Sequence, residues 1–235
     1  MPSQRLDKTI AGSGPYTRSQ AAELIRGGRV TVDGRVAGSA SEKCDPGSAQ
    51  VSIDGAPLVF REFRYVMMNK PCGYVSSTED RREKTVMELL DDSYSGLGLF
   101  PAGRLDKDAE GLLLLTNDGG LAHDITSPGR KVSKRYYIEF DGAVTDADAE
   151  AFSGGLLLGD GTKCLPAALE PAPGGAYVTL WEGKYHQVKR MMAALGKPVK
   201  YIKRLSIGGL ALDEGLEPGE YCEITDDIHL LLCNK

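Results

Sequence analysis

The run Leu112-Leu113-Leu114-Leu115 lies between the polar loop Gly103-Arg104-Leu105-Asp106 and the turn Asn117-Asp118-Gly119. Four apolar residues in a row, bounded by glycine and turn formers, are typical of a short strand covered on both faces. The preceding loop then holds Asp106 near the start of a rigid strand, where loops often carry enzyme chemistry. Asp106 is therefore a candidate catalytic residue. An aspartate in a glycine-containing loop is also a common turn former, so the spacing alone leaves both interpretations open.

The composition is that of an ordinary globular protein. The chain has 235 residues, of which 41% are hydrophobic and 26% charged, enough to bury a sizeable core. No apolar run approaches the roughly 20 residues that span a bilayer, and the first residues lack the apolar core of a signal peptide. We therefore expect a cytoplasmic protein with no membrane association.

The cysteines and histidines do not indicate a metal site. There are five cysteines and three histidines, without a Cys-x-x-Cys pair and without the spacing of metal ligands. Neither a disulfide framework nor a zinc site is predicted.

Charge is distributed unevenly along the chain, although the net charge is only −5. Between Trp181 and Leu205 there are seven lysine and arginine residues against Glu182 alone. From Ser206 onward the balance reverses, with seven acidic residues against one lysine. A basic segment inside an acidic protein suits a defined track for a polyanion. A solvated helix face with salt bridges would explain the same pattern equally well.

The first 60 residues have the pattern of a small separate module. Thr17 and Gln20 form a capping box, which predicts a helix that starts there and ends at Gly27-Gly28. The alternation from residue 30 to residue 36 around Asp33-Gly34 predicts a hairpin with a type I′ turn.

This module resembles the αL RNA-binding motif that is shared with a small-subunit ribosomal protein. The resemblance is carried by Arg5-Leu6-Asp7-Lys8, Thr17-Arg18-Ser19-Gln20-Ala21 and Val30-Thr31-Val32-Asp33-Gly34. It implies that Arg5, Arg18 and Arg26 contact RNA phosphates. A pure folding role for these arginines is the alternative, and with a net charge of only +1 over residues 1–60 we do not expect tight independent RNA binding.

Two further segments of residues 61–235 predict regular structure. From Ser133 to Phe140 the pattern alternates as a half-buried strand does, with Tyr136 on one face and Tyr137 on the other. From Val188 onward, apolar residues recur at helical spacing up to Leu195. The methionines of this helix are expected to belong to the core.

The larger part of the chain resembles the RsuA-type pseudouridine synthases. The matching strings are Gly103-Arg104-Leu105-Asp106 with the leucine run after it, Asn69-Lys70-Pro71-Cys72-Gly73, Lys134-Arg135-Tyr136, and Tyr185-His186-Gln187-Val188-Lys189. With the N-terminal motif, the resemblance extends from Arg5 to about Ile224.

The resemblance implies specific site residues. Asp106 would be the catalytic residue, Lys189 its ionic partner, and Tyr136 the platform on which an extruded uracil stacks. Arg104 would assist base extrusion and contact a phosphate. Further RNA contacts are expected from Lys184 and Arg190. Lys70 is expected either to contact a phosphate or simply to cap a strand end. The reaction oxidises nothing and carries no group, so we expect no cofactor.

The resemblance also implies a fold and a substrate. We expect an α+β protein with a mixed, mainly antiparallel sheet and flanking helices in residues 61–235, preceded by an RNA-binding domain in residues 1–60. The expected reaction converts one uridine of small-subunit (16S) ribosomal RNA to pseudouridine, in an assembly intermediate of that subunit and by a monomeric enzyme. The alternatives are the same reaction on large-subunit (23S) RNA, or a noncatalytic RNA-binding assembly factor.

Overall fold

The computed structural model describes residues 3–13, 16–224 and 227–233. These residues belong to two compact units. One comprises Met1–Arg64 together with Leu90–Leu99, and the other comprises Tyr65–Leu89 together with Phe100–Lys235. The sequence pattern places a boundary near residue 60 and contains no signal that assigns Leu90–Leu99 to the N-terminal unit.

The N-terminal unit is built from short elements around an apolar core. Its elements are β1 (Gln4–Arg5), α1 (Leu6–Gly12), α2 (Arg18–Arg26), β2 (Val30–Val32), β3 (Arg35–Val36), β4 (Lys43–Cys44), β5 (Val51–Ile53) and β6 (Ala56–Pro57). The predicted capping box is confirmed, because Thr17 and Gln20 exchange both of its hydrogen bonds. The predicted hairpin is also confirmed: β2 pairs antiparallel with β3, and Asp33 and Gly34 both have positive φ.

The second unit is a large sheet with helices beside it. Its elements are β7 (Tyr65–Lys70), β8 (Phe100–Pro101), β9 (Glu110–Thr116), α3 (Gly119–Thr126), β10 (Lys134–Phe140), α4 (Asp146–Gly154), β11 (Ala168–Ala172), β12 (Gly175–Leu180), α5 (Gln187–Ala194), β13 (Val199–Ile207), β14 (Leu210–Ala211), β15 (Tyr221–Glu223) and α6 (Ile228–Cys233). The strand order is β11-β12-β10-β13-β9-β7-β15, with β14 on β13 and β8 on β9. In this sheet β13 and β9 are parallel, whereas the other described pairs are antiparallel. The predicted mixed, mainly antiparallel sheet is thus confirmed.

The leucine run forms the centre of this sheet. Leu112 to Leu115 lie in β9 between β13 and β7, and all four side chains are fully buried, as the sequence predicts. Each such side chain contributes about 1.5–3 kcal/mol to folding by leaving water. The strand is therefore a rigid support for the loop that precedes it.

One glycine allows β9 and β13 to meet. Gly111 pairs with Arg204, and a Cβ atom at Gly111 would lie 2.2 Å from the Arg204 carbonyl oxygen. Its φ of +101° is also one that side chains rarely tolerate. A glycine is required at this crossing, which brings the residues before β9 beside β13.

Candidate active site

The loop that carries Asp106 is held by its backbone. The Ser76 hydroxyl donates to the Leu105 carbonyl and accepts from the Leu105 amide, both at 3.0 Å. On the other side of Asp106, the Lys107 carbonyl accepts from the Gly73 amide at 2.8 Å. These bonds fix the residues on both sides of Asp106, so the loop presents its carboxylate in a defined position.

Lys70 is part of this support. Its side chain has no exposed surface, and its Nζ donates to the carbonyls of Ala109 (2.8 Å), Pro71 (2.9 Å) and Lys107 (3.4 Å). Burial lowers the pKa of Lys70 to about 8. The expectation that Lys70 contacts a phosphate is therefore wrong, because its ammonium group is enclosed by the chain and holds the Asp106 loop instead.

Two basic side chains approach the Asp106 carboxylate. Lys189 Nζ lies 3.5 Å from Asp106 Oδ2, and His186 Nε2 lies 3.3 Å from Oδ1. The structure thus brings together Asp106 and Lys189, the two residues that the family resemblance relates. Lys189 is shared, because its Nζ also lies 2.5 Å from Asp108 Oδ1. This contact holds the pKa of Asp108 below its usual value.

The position of His186 beside Asp106 is not predicted from the sequence, where the spacing of the histidines serves only to exclude a metal site. The residue precedes α5 with a left-handed backbone, φ 47°, and its ring stacks on Tyr185 with centroids 3.8 Å apart. The string Tyr185-His186-Gln187 contained the only available signal. Its meaning depends on a backbone conformation that spacing does not reveal.

A buried network fixes the segment that leads into α5. Glu182 is buried and accepts hydrogen bonds from Gln187 Nε2 (2.7 Å), the Leu165 amide (2.8 Å) and Lys184 Nζ (2.5 Å). The pKa of Glu182 is lowered, because these hydrogen bonds outweigh the desolvation of its carboxylate, which acts in the opposite direction. The network positions the start of the helix that carries Lys189.

Neither Lys184 nor Arg190 presents an unpaired charge for RNA. Lys184 Nζ also donates to the Lys163 carbonyl at 2.9 Å. Arg190 Nη2 lies 2.5 Å from Asp160 Oδ2, and its Nη1 donates to the Tyr185 carbonyl at 3.3 Å. In this structure both side chains hold loops, and their expected phosphate contacts stay predictions.

The Asp106 carboxylate faces a cleft of about 630 Å³. Tyr136, on β10, lines the same cleft, and its stacking role stays a prediction from the family resemblance. The lining contains one carboxylate, Asp106, and the basic side chains Arg104, Lys107, Lys134, Lys184, His186, Lys189 and Arg204. The Arg104 side chain is exposed and makes no ion pair with any residue that the structure describes. A cleft this rich in cations suits an anionic ligand.

Two of these cations are buried in the cleft wall. The exposed fraction is 3% for Arg204 and 8% for Lys134. Arg204 donates to the carbonyls of Leu112 (2.8 Å) and Arg104 (3.4 Å), and its Nη2 has no hydrogen-bond partner. Lys134 donates to the carbonyls of Ile125 (2.8 Å) and Val132 (3.0 Å). Burial, with Arg204 nearby, lowers the pKa of Lys134 to about 8.

In the N-terminal unit, two of the three predicted RNA contacts are paired with the same carboxylate. Arg5 Nη2 lies 2.8 Å and Arg18 Nη2 3.4 Å from Asp7 Oδ2, which is buried, while both arginine side chains are about half exposed. These pairs hold the pKa of Asp7 below its usual value. Arg26 is exposed and contacts only the Ala22 carbonyl among the described residues.

The described residues contain no cluster of three or more histidine, cysteine or acidic side chains placed to hold a metal ion. Within the same residues, no helix is both long enough and apolar enough to cross a membrane.

Comparison with known proteins identifies the class to which this fold and site belong. The family described as RNA pseudouridylate synthase matches residues 64–156, and the S4 domain matches residues 4–49. The chain belongs to the pseudouridine synthase family and is an isomerase; the expected fold and N-terminal RNA-binding domain are confirmed.

Individual relatives match nearly the whole chain. The ribosomal small subunit pseudouridine synthase A of Escherichia coli (strain K12) is 45% identical over 228 residues, covering 95% of this chain and 97% of its own. An uncharacterized RNA pseudouridine synthase of Bacillus subtilis (strain 168) is 44% identical over 233 residues, covering 97% and 98%. A crystal structure of a pseudouridylate synthase matches with a TM-score of 0.65 and 40% identity, covering 95% of this chain and 96% of its own.

Proposed function

We propose that this enzyme converts one uridine of small-subunit (16S) ribosomal RNA to pseudouridine and that Asp106 is its essential residue. The observation that carries the proposal is the cleft, in which Asp106 is the one carboxylate among the lining residues and lies between Lys189 and His186. The relatives named ribosomal small subunit pseudouridine synthase A, at 45% identity, support the RNA target.

The cations beside Asp106 suit a carboxylate that must stay ionised. An ammonium group 3.5 Å away restricts the orientation of this carboxylate. With Nε2 protonated, His186 donates to the other carboxylate oxygen and limits its rotation. An ionised, oriented aspartate then acts as a nucleophile toward the sugar or the ring, or as a base toward a sugar proton.

Tyr136 binds the uracil, and Arg104 binds the RNA backbone beside it. Tyr136 stacks on the uracil while it is detached from the sugar, which is worth about 1–3 kcal/mol and leaves the ring edges free. Arg104 is exposed at the cleft without an ion-pair partner among the described residues, and it contacts a phosphate beside the extruded nucleotide.

The residues in place suffice for an isomerisation without a cofactor. One glycosidic bond breaks, the ring turns, and one carbon–carbon bond forms, so no electrons and no group are transferred to a carrier. We place the reaction in the cytoplasm, on ribosomal RNA within an assembly intermediate of the small subunit, with the S4-like unit adding RNA contacts through Arg26 and the exposed parts of Arg5 and Arg18.

Release of tritium from C5 of uridine tests the proposal, because C5 loses its hydrogen when it joins the sugar. We expect release from small-subunit RNA and from its assembly particles, and none from large-subunit RNA. Asp106→Asn should abolish release while RNA affinity is kept. Asp141→Asn, which removes an exposed carboxylate paired with Lys200, is the matched control and should retain full activity.

Other outcomes discriminate the alternatives. Release from large-subunit RNA alone would assign the enzyme to that subunit. RNA binding without release from any RNA would favour a binding factor. Normal release by Asp106→Asn would show that the active residue has been misassigned.

A further inference from the structure

The buried pair of cations in the cleft wall, Lys134 and Arg204, has no anionic partner in the described chain. Both are held only by backbone carbonyls, and one nitrogen of Arg204 makes no hydrogen bond. Burying a charge costs several kcal/mol unless an opposite charge compensates it. Two like charges close enough for one to lower the pKa of the other increase that cost. Such an arrangement persists most readily where a negative charge arises during function.

Lys134 and Arg204 lie next to Tyr136, the residue proposed to stack on the uracil. Lys134 and Tyr136 are alternate residues on one face of β10, and Arg204 is the register partner of Tyr136 on β13. All three line the cleft. A uracil stacked on Tyr136 therefore lies against this wall. The RNA backbone, which stays solvated, is contacted by the exposed side chain of Arg104.

The reaction produces a negative charge on the ring. When the N1–C1′ bond breaks, the bonding pair stays with N1, and the uracil becomes an anion whose charge is shared by O2 and O4. C1′ is satisfied by a bond to the Asp106 carboxylate or by loss of the C2′ proton to it, a proton that later returns. The ring then joins C1′ through C5, which on the covalent route breaks the bond between C1′ and the Asp106 oxygen and frees the carboxylate. The C5 proton leaves and N1 takes up a proton, so the product is an isomer of the substrate.

We propose that Lys134 and Arg204 are catalytic residues that stabilise the uracil anion released when the glycosidic bond breaks. The inference rests on the proposed function at this site. Fixed cations in a dry wall stabilise a charge that develops in the transition state without the cost of reorienting solvent. The ground-state base is neutral and gains less from them, so their effect falls on the rate of bond cleavage.

Binding of free bases to the wild-type enzyme tests the proposal without turnover. 6-Azauracil has nearly the size of uracil but a more acidic ring, so it is largely anionic at about pH 8 and largely neutral at about pH 6, while uracil stays neutral at both. We expect 6-azauracil to bind about tenfold tighter than uracil at the higher pH, equivalent to about 1.4 kcal/mol, and equally at the lower pH. Uracil corrects for pH effects on the affinity for a neutral ring, and the higher pH stays at about 8 so that Lys134, whose pKa is about 8, keeps part of its charge. Equal affinity at both pH values would overturn the proposal.

Leaving-group acidity supplies the second test. Fluorine at C5 makes the ring a better leaving group, so 5-fluorouridine at the target position needs less stabilisation. The assay is a single turnover in which disappearance of the target nucleoside is measured. Lys134→Met and Arg204→Met should each slow uridine conversion about 100-fold, as loss of one oxyanion donor does. The deficit should shrink about tenfold with 5-fluorouridine.

Lys203→Met is the matched control, because Lys203 lies next to Arg204 but opposite Tyr137, on the other face of the sheet. It should leave the rate on both substrates unchanged. Equal deficits of the Lys134 and Arg204 variants on the two substrates would contradict the assignment. If these variants do not fold, base binding by wild type decides alone. Failure of the proposed function is distinguishable, because it would appear as activity of Asp106→Asn while anion preference persists.

Discussion

Replacing Gly111 with alanine should open the crossing between β9 and β13. The new Cβ would lie 2.2 Å from the Arg204 carbonyl oxygen and 2.7 Å from its amide nitrogen, whereas real Cβ contacts essentially never fall under 3.0 Å. The two backbones must therefore separate by at least 0.8 Å. The obstacle is main chain on both sides, so no side-chain rotation relieves it.

The cost has two parts. Holding alanine at a φ of +101° costs roughly 1–3 kcal/mol. Separation weakens the parallel pairing of Glu110 with Lys203 and of Gly111 with Arg204, at about 1 kcal/mol for each net hydrogen bond lost. We expect Gly111→Ala to lower the free energy of unfolding by about 3–5 kcal/mol.

Gly142→Ala separates these two parts. Gly142 has nearly the same φ, +97°, but a Cβ there would meet nothing within 4 Å. It should cost about 1–3 kcal/mol, so the difference between the variants, about 2 kcal/mol or more, measures the clash alone. Urea unfolding of both, with an unchanged m-value, provides the free energies.

Activity provides an independent readout. The Asp106 loop leads into β9 and the Arg204 wall belongs to β13, so separating these strands moves the two sides of the site apart. A displacement near 1 Å costs about 100-fold in rate, which we expect for folded Gly111→Ala and not for Gly142→Ala. Equal losses of stability in the two variants would refute the reasoning, as would full activity in Gly111→Ala.

Three further predictions concern the site and its support. Ser76→Ala removes both hydrogen bonds to Leu105 and should lower kcat about tenfold or more with little change in KM. Ser77→Ala, which loses only an exposed hydrogen bond to Glu79, should behave as wild type. Equal rates of the two variants in single-turnover assays would show that the Ser76 hydrogen bonds do not position the Asp106 loop. Tyr136→Phe should keep the stacking surface and most of the rate, whereas Tyr136→Leu should lose about 1–3 kcal/mol of base retention, measured as a fall in single-turnover rate; a similar fall in both would assign the role to the hydroxyl. Lys70 has a pKa of about 8 in the fold against 10.5 unfolded, so between these values the unfolded chain binds more protons and stability rises with pH, by up to about 1.4 kcal/mol per pH unit for this lysine. That contribution is lost as pH falls through about 8 and should vanish in Lys70→Met when unfolding free energies are compared between about pH 8 and about pH 10; an unchanged slope would show that Lys70 is solvated.

Local patterns predict the local structure of this chain well. The capping box at Thr17, the turn at Asp33-Gly34 and the buried strand Leu112 to Leu115 each depend on neighbours within a few residues, and all three are present. The pairing of Asp106 with Lys189 was predicted from the family resemblance, since spacing alone relates no residues so far apart.

The missed features depend on contacts distant in sequence. Arg204 is buried because β13 runs parallel to β9, and its guanidinium bonds to a carbonyl 92 residues earlier. Lys70 carries the charge expected of an RNA contact, yet it is buried and its Nζ donates to the carbonyls of Lys107 and Ala109. His186 reaches Asp106 through a left-handed backbone. Charge and spacing do not report burial or long-range pairing, so these roles become visible only in the folded structure.

The hydrogen bonds that hold the Asp106 loop have a consequence for engineering. Because the hydrogen bonds from Lys70, Gly73 and Ser76 come from a separate stretch of chain, the Asp106 loop transplanted alone into another scaffold would lose its supports. A useful graft must transfer both stretches together. Redesign toward other nucleosides should therefore leave these two stretches intact and vary cleft residues that belong to neither stretch, such as those around Tyr136.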